Sequence, residues 1–408
     1  MKNIVSFCFG TKRRIVLFSA AMLLICTLLF CALVLPFLQH GPVVLSYNGL
    51  HLREGVFNYL YSFFRYKIPA SMTEFSDTDA FWHLIREEDG LTNEEYYGQI
   101  ALDLVYQTLA CARIYDRNAT LGADERSEMK TAIDEVVSLS YKGGGSRKSF
   151  NENAEKFGFT YRDFVDATTI LYKATRLEAA LFGENGGKLS EKHLQTYLTE
   201  KYCHVIIIFV RTENKFVIND AGEYVPDGNG GYETEPLTPE ELAAQQAKIQ
   251  TVKDAVADGT TKEEFSQLLL KNNDDADAHK RLGSYYFSEG NAYTQAYEEV
   301  FPTVKETALS LDIGEVGIAT SSVGTHIIYR TEVGDAPYND PQFEQFFEDM
   351  RSRAIVYLYQ KILKEGVEGI KVKNQAYLDA LSFGDTQPNN ALMIAYFHGY
   401  TVSIVSKQ

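Results

Sequence analysis

Two histidines stand where they could do chemistry. His204 opens the run Val205-Ile206-Ile207-Ile208, and His326 opens Ile327-Ile328-Tyr329 about 120 residues later. Each run is short, apolar and rich in β-branched side chains, which predicts a buried strand. Imidazoles at the starts of two strands could meet across a sheet, even though the sequence separates them. The competing reading is a packed, hydrogen-bonded core histidine at a strand end. A metal centre is not supported, because zinc asks for about four close ligands and no such cluster of His, Cys, Asp and Glu occurs. Neither His-Glu-x-x-His nor Gly-x-Ser-x-Gly occurs either, which leaves metalloprotease and serine-hydrolase chemistry without support.

The stretch between the histidines decides what they are for. A polar helix, Glu240 to Ala257, leads through Asp258-Gly259-Thr260 into Phe265-Ser266-Gln267-Leu268-Leu269. A polar loop with Asp274-Asp275 follows, then Arg281-Leu282-Gly283-Ser284-Tyr285-Tyr286-Phe287, then Leu309-Ser310-Leu311-Asp312-Ile313-Gly314-Glu315-Val316-Gly317, and finally Val323-Gly324-Thr325-His326. Five pieces in this order resemble a parvulin-type peptidyl-prolyl isomerase domain over residues 200–333. The resemblance implies that His204 and His326 form a hydrogen-bonded pair beneath the substrate and that Asp275 sits near the substrate carbonyl. It implies a proline pocket lined by Leu282, Phe287 and Val304, with Ala292 where a methionine is common. A Ser or Thr beside the last histidine is also usual; Ser322 and Thr325 are the nearby candidates. No cofactor is implied.

The sequence departs from the family in several places, among them about two residues added between Gly283 and Gly290 and about four more before Val304. His279-Lys280-Arg281 replaces a Gly-Gly-Asp, Ala292 makes a shallower pocket, and a long insert, 212–239, separates the first strand from its helix. Asp227-Gly228-Asn229-Gly230-Gly231 inside the insert predicts a hairpin tip. Its spacing matches no EF-hand loop, so a solvated hairpin is expected rather than a calcium site. The family places the loop after the first strand beside the active site, so the insert is expected to border the substrate groove.

The elements that must carry such a domain begin with an anchor. Ile15 to Leu38 contains no charged side chain. As a helix it would span ~36 Å, enough for a ~30 Å hydrocarbon core. Lys2, Lys12, Arg13 and Arg14 precede or flank it, and the first acidic residue is Glu54. That asymmetry predicts a cytoplasmic tail at 1–14, a transmembrane segment at 15–38 and everything beyond it outside the cytoplasm. No small-x-small cleavage site follows the run, and Cys26 and Cys31 are preceded by bulky Ile25 and Phe30, so cleavage and lipid attachment are the weaker readings.

The chain has 39 basic and 55 acidic residues, and all the charges before residue 41 are basic. The outer part is therefore strongly acidic, which argues against nucleic acid and against docking on an anionic bilayer. Only Cys111 and Cys203 lie beyond the predicted membrane segment, so no disulfide framework is expected.

A strand, an Asn48-Gly49 turn and a run of helices predict a first module at 41–199, broken by the loop Lys142-Gly143-Gly144-Gly145-Ser146. It resembles the helical chaperone domain of trigger factor and of extracytoplasmic foldases. The resemblance implies that a helix from Asp340 to Glu365 returns to it, so that 340–384 completes the module and 385–408 is a tail whose apolar run, Ala391 to Phe397, is suited to packing. The expected fold class is thus α+β: a transmembrane helix, then a discontinuous helical chaperone domain with an inserted parvulin-like α/β domain. The expected partners are unfolded or partly folded exported polypeptides, the membrane through 15–38 and a second copy of the chain. The expected function is a membrane-anchored foldase isomerising X–Pro bonds. The alternative is a holdase whose isomerase domain is not catalytic.

Overall fold

In a computed structural model of the chain, residues 22–24, 41–72, 75–139, 146–228, 232–275, 283–288, 301–334 and 344–394 are described, the last span with side chains from residue 350. The predicted span 15–38 lies outside the described residues except for the helical Met22–Leu24, as do Leu282 and Ala292. Among the described residues no helix is long and apolar enough to cross a membrane. The chain mixes helix and strand and divides into two units, one of residues 1–188 and 359–408, the other Leu189–Leu358.

The first unit starts with β1 (Val43–Tyr47) and β2 (Leu50–Arg53), an antiparallel hairpin in which Tyr47 faces Leu50 across a two-residue turn. Asn48 and Gly49 both have positive φ, 46° and 89°, as a type I′ turn demands. A short strand, Lys371–Val372, pairs with the other edge of β1. Helices follow: α1 (Glu54–Ala70), α2 (Asp79–Trp82), α3 (Asn93–Asn118), α4 (Ala123–Leu139), α5 (Arg147–Ala154) and α6 (Tyr161–Phe182). Thr92 with Glu95, and Thr160 with Asp163, close capping boxes that satisfy the first N–H groups of α3 and α6. Their apolar faces share one core, in which Phe57, Phe63, Leu109, Phe164 and Leu171 are fully buried.

Arg65 is clasped in this unit at 1 % exposure. It bonds to the carbonyls of Phe383 and Gly384 and to Asp77, and lies against the Trp82 ring. Leu392, Met393 and Ile394 are buried in the same core. The segment read as a tail from 385 thus opens as packed structure, because Leu392, Met393 and Ile394 of its apolar run enter the helical core.

The second unit also departs from the expected boundaries. It takes in the whole of α7 (Glu191–Lys201), although the first module is expected to run to 199. The apolar face of α7, Leu194, Tyr197 and Leu198, packs with Tyr202, Tyr286, Met350 and Ala354. Its sheet is antiparallel and four-stranded. The strands are β3 (Cys203–Arg211), β6 (Ser284–Phe287), β7 (Val316–Ser321) and β8 (Gly324–Thr331), in the order β6-β3-β8-β7. Two short strands, β4 (Asn214–Phe216) and β5 (Thr234–Pro236), pair within the insert.

Both faces of the sheet are covered. Ile206, Ile208, Val210, Ile327 and Tyr329 pack with residues of α8 (Pro239–Val256) and α9 (Lys262–Asn272). Val205, Ile207, Phe287 and Ile328 pack with Val304 and Ala308 of α10 (Pro302–Ser310). A final helix, α11 (Glu344–Glu368), runs past the division at Leu358, so its residues are split between the two units.

Candidate functional site

Register fixes where the two histidines go. In the β3–β8 pair His204 faces Thr331, and His326 faces Phe209. The two positions are five steps apart along β3, ~17 Å at ~3.4 Å per residue. Alternation along each strand also puts them on opposite faces: His204 with Ile206 and Ile208, His326 with Val205 and Ile207. The hydrogen-bonded histidine pair implied by the family resemblance is therefore not formed. Its premise, that histidines opening two strands meet, fails because the paired strands are antiparallel.

His204 is a packed residue. It is 7 % exposed, lies 4.5 Å from the Tyr286 ring with the planes 11° apart, and its Nδ1 is 3.1 Å from the Glu332 carbonyl oxygen. Burial, with a lesser push from Lys262, outweighs that carbonyl and lowers its pKa to about 4.

His326 sits at the other end of the sheet and is 1 % exposed. Burial lowers its pKa to about 4, so the ring is neutral at pH 7. Its Nε2 is 2.9 Å from Ser321 Oγ, which also accepts the Val323 N–H and lies 3.3 Å from the Gly324 carbonyl. The network is satisfied when Ser321 donates to Gly324 and Nε2–H donates to Ser321. That assignment leaves Nδ1 as an acceptor, and Nδ1 has no hydrogen-bond partner among the described residues. The partly exposed rings of Phe209 and Phe301 flank the imidazole, with centroids 4.8 and 5.0 Å away.

The edge of β3 beyond β6 is closed by the Asp274 loop. The Gly283 carbonyl accepts the Ile207 N–H, Asn273 Oδ1 takes the Phe209 N–H, Asp274 N–H reaches the Phe209 carbonyl, and Asp274 Oδ2 takes the Arg211 N–H. Lys248 pairs with Asp274 Oδ1 at 2.5 Å and Gln245 donates to its Oδ2, which ties α8 to the same strand end. This backbone lock holds the next residue, Asp275, where its Oδ2 accepts the Tyr285 hydroxyl at 3.0 Å.

Phe287 and Val304 are packed at 1 % and 0 % exposure beside Ile207 and Ile328, so they form the apolar layer under this end rather than an open rim. Of the expected site residues, His326, Asp275, Phe287 and Val304 thus lie on or beside one face, and His204 does not. Ser321, not Ser322 or Thr325, is the hydroxyl partner of His326. Sequence reasoning also missed Phe209, Phe301 and Tyr285. Phe209 was findable, since it lies two residues on from Ile207 in the same strand.

No family model matches the chain, and no curated protein matches it. Among solved structures it is similar to the foldase protein PrsA from Streptococcus pneumoniae at 16 % identity, covering 72 % of this chain and 96 % of that one, with a TM-score of 0.21. PrsA from Bacillus subtilis is 15 % identical over 71 % of this chain and 91 % of that one, with a TM-score of 0.22. The PrsA foldase from Lactococcus lactis is 13 % identical over 83 % of this chain and 97 % of that one, at 0.19. At such scores these likenesses carry no weight for the site, and the functional reading rests on the chain's own residues.

Proposed function

We propose that the chain is a polypeptide foldase whose second unit isomerises X–Pro bonds at the His326 end of its sheet. We place it at the outer face of a membrane, held by residues 15–38. The observation that carries the reading is a neutral, buried imidazole set between two partly exposed aromatic rings, at a strand end whose backbone is locked by the Asp274 loop.

Rotation about an X–Pro amide crosses ~18–20 kcal/mol because the C–N bond has partial double-bond character. No covalent step is needed. The site must bind the twisted amide better than either planar form. Twisting withdraws the nitrogen lone pair from the carbonyl, so the transition state is less polar at oxygen than the ground state. A water-poor aromatic site that does not donate strongly to that oxygen favours it. Phe209 and Phe301 would hold the proline ring over the layer of Phe287 and Val304. His326, kept neutral by burial and oriented by Ser321, would avoid stabilising the planar form as a cation would. Asp275, fixed by Tyr285, would orient the amide on the substrate side. Leu282 and Ala292 keep their proposed place in the pocket from the resemblance alone.

A second reading has its own observation. The histidine pair is absent, and the first unit exposes Leu84, Ile85 and Leu91, at 60 %, 65 % and 41 %, around a tight turn bridged by Ile85 and Thr92. A holdase would use such apolar surface on unfolded chains without catalysis. Proline-peptide isomerisation by the full-length protein separates the two. Acceleration above background supports the first reading. No acceleration, with aggregation of an unfolded client suppressed, supports the second.

A further inference from the structure

The insert between β3 and α8 is more than a solvated hairpin. Its backbone makes a small meander: Val217 N–H bonds to Glu233, Val225 N–H to Val217, and Glu233 N–H to Val225. The Asn219 side chain closes the first turn by accepting the Ala221 and Glu223 N–H groups. This brings together three rings that sequence keeps apart. Phe216, Tyr224 and Tyr232 have centroids 5.0, 5.7 and 5.3 Å apart, and the two tyrosines stay 40 % and 50 % exposed.

The cluster adjoins the candidate site without a break. The Arg211 guanidinium lies 4.0 Å from the Phe216 centroid and 5.3 Å from that of Phe209, the ring beside His326. One cation is thus already seated on the cluster. The rim is acidic: residues 212–239 carry six carboxylates, all on exposed residues, against a single lysine. That lysine, Lys215, is spoken for by Glu235 and Glu241 at 3.2 and 2.6 Å. Exposed aromatic faces in an insert of net negative charge are complementary to ammonium and guanidinium groups, which the ring quadrupole and the carboxylates attract together.

We propose that the insert is a cation-reading shelf that binds a lysine or arginine side chain of an extended polypeptide whose X–Pro bond lies at the His326 end. The substrate class is therefore a basic, proline-containing segment. The proposal rests on the reading of that end as a polypeptide site.

The test is fluorescence anisotropy with full-length protein in detergent micelles. Two sets of labelled peptides are used, with and without proline, each carrying lysine, glutamine or glutamate at the same position near the centre. The lysine peptide should bind best and the glutamate peptide worst, with the gap narrowing as salt is raised. Tyr224→Ala and Tyr232→Ala should each weaken the lysine peptide about two- to fivefold. Both should leave the glutamine peptide unchanged, which also shows that the fold survives. The paired change Glu223→Gln with Glu233→Gln should weaken the lysine peptide in the same way. Equal affinity for the three peptides, or a lysine preference untouched by these substitutions, overturns the shelf. Lysine preference without isomerisation of any proline peptide would keep the shelf and remove the isomerase. Isomerisation without lysine preference would do the reverse.

Discussion

The two histidines look alike in sequence and differ in every contact. His204 stacks on Tyr286 and bonds to a main-chain carbonyl, whereas His326 is poised by a serine between two rings. Replacing His326 with alanine should cut isomerisation at least tenfold, about 1.4 kcal/mol of transition-state binding. His204→Phe keeps the stack and loses one hydrogen bond. It should cost on the order of 1 kcal/mol of stability and leave the rate nearly unchanged.

Both imidazoles have folded pKa values near 4, below the ordinary value of about 6.5. Between those limits the unfolded chain binds more protons, so stability is fully present above pH 6.5 and is lost as the pH falls toward 4. The loss should be on the order of 2 to 3 kcal/mol for each histidine. Urea titrations from pH 7.5 to 4.5 should show it, and should show about half of it in His204→Phe. Unaltered midpoints across that range would contradict the burial of the two rings.

At the level of elements, much of the architecture was legible and its alignment was not. Asn48-Gly49 between alternating apolar residues specified the first hairpin, and the runs after His204 and His326 specified the central strands. In Val205-Ile206-Ile207-Ile208 every position is apolar because both sheet faces are covered. A run without alternation does not reveal which side chains share a face, nor how it registers with a strand 120 residues away. Tyr285-Tyr286-Phe287 hides its parity in the same way: Tyr285 reaches Asp275 while Tyr286 turns to His204.

Gly283 was legible as a turn residue, and the structure shows why it is needed. Its φ is +66°, and a Cβ there would lie 2.8 Å from the Ile207 carbonyl oxygen and closer still to Leu269. Gly283→Ala should cost about 3 kcal/mol or more. Because Gly283 carries the bond that starts the β3 edge, the variant should also loosen the Asp274 lock. Hydrogen exchange should then rise at Phe209 and Arg211 before it rises elsewhere in the sheet. Uniform protection would show that the lock holds without it.

At the level of the whole molecule, the helical unit is built from both ends of the chain, with the sheet unit between them in sequence. The family resemblance, not any sequence period, implied such a discontinuity, and the division falls after residue 188 and again after Leu358. The α7 face and the early turns of α11 belong to the sheet unit, since their large side chains pack with Tyr286. The apolar run from Ala391 to Phe397 was legible as a segment suited to packing, but a short run without a period does not say against what, and the core that Leu392, Met393 and Ile394 enter supplies that. The proposed anchor is tested by cell fractionation. The full-length protein should stay with membranes through an alkaline wash and be cleaved by protease added outside intact cells. Release by the wash, or protection from the protease, would contradict it.

The central claim is that the His326 end of the sheet, and not a histidine pair, speeds rotation about X–Pro bonds. Cis-to-trans isomerisation of short proline peptides by full-length protein, measured beside His326→Ala and His204→Phe, tests it most directly. Acceleration should collapse in His326→Ala and persist in His204→Phe. No acceleration by the unaltered protein, or equal loss in both folded variants, would contradict it.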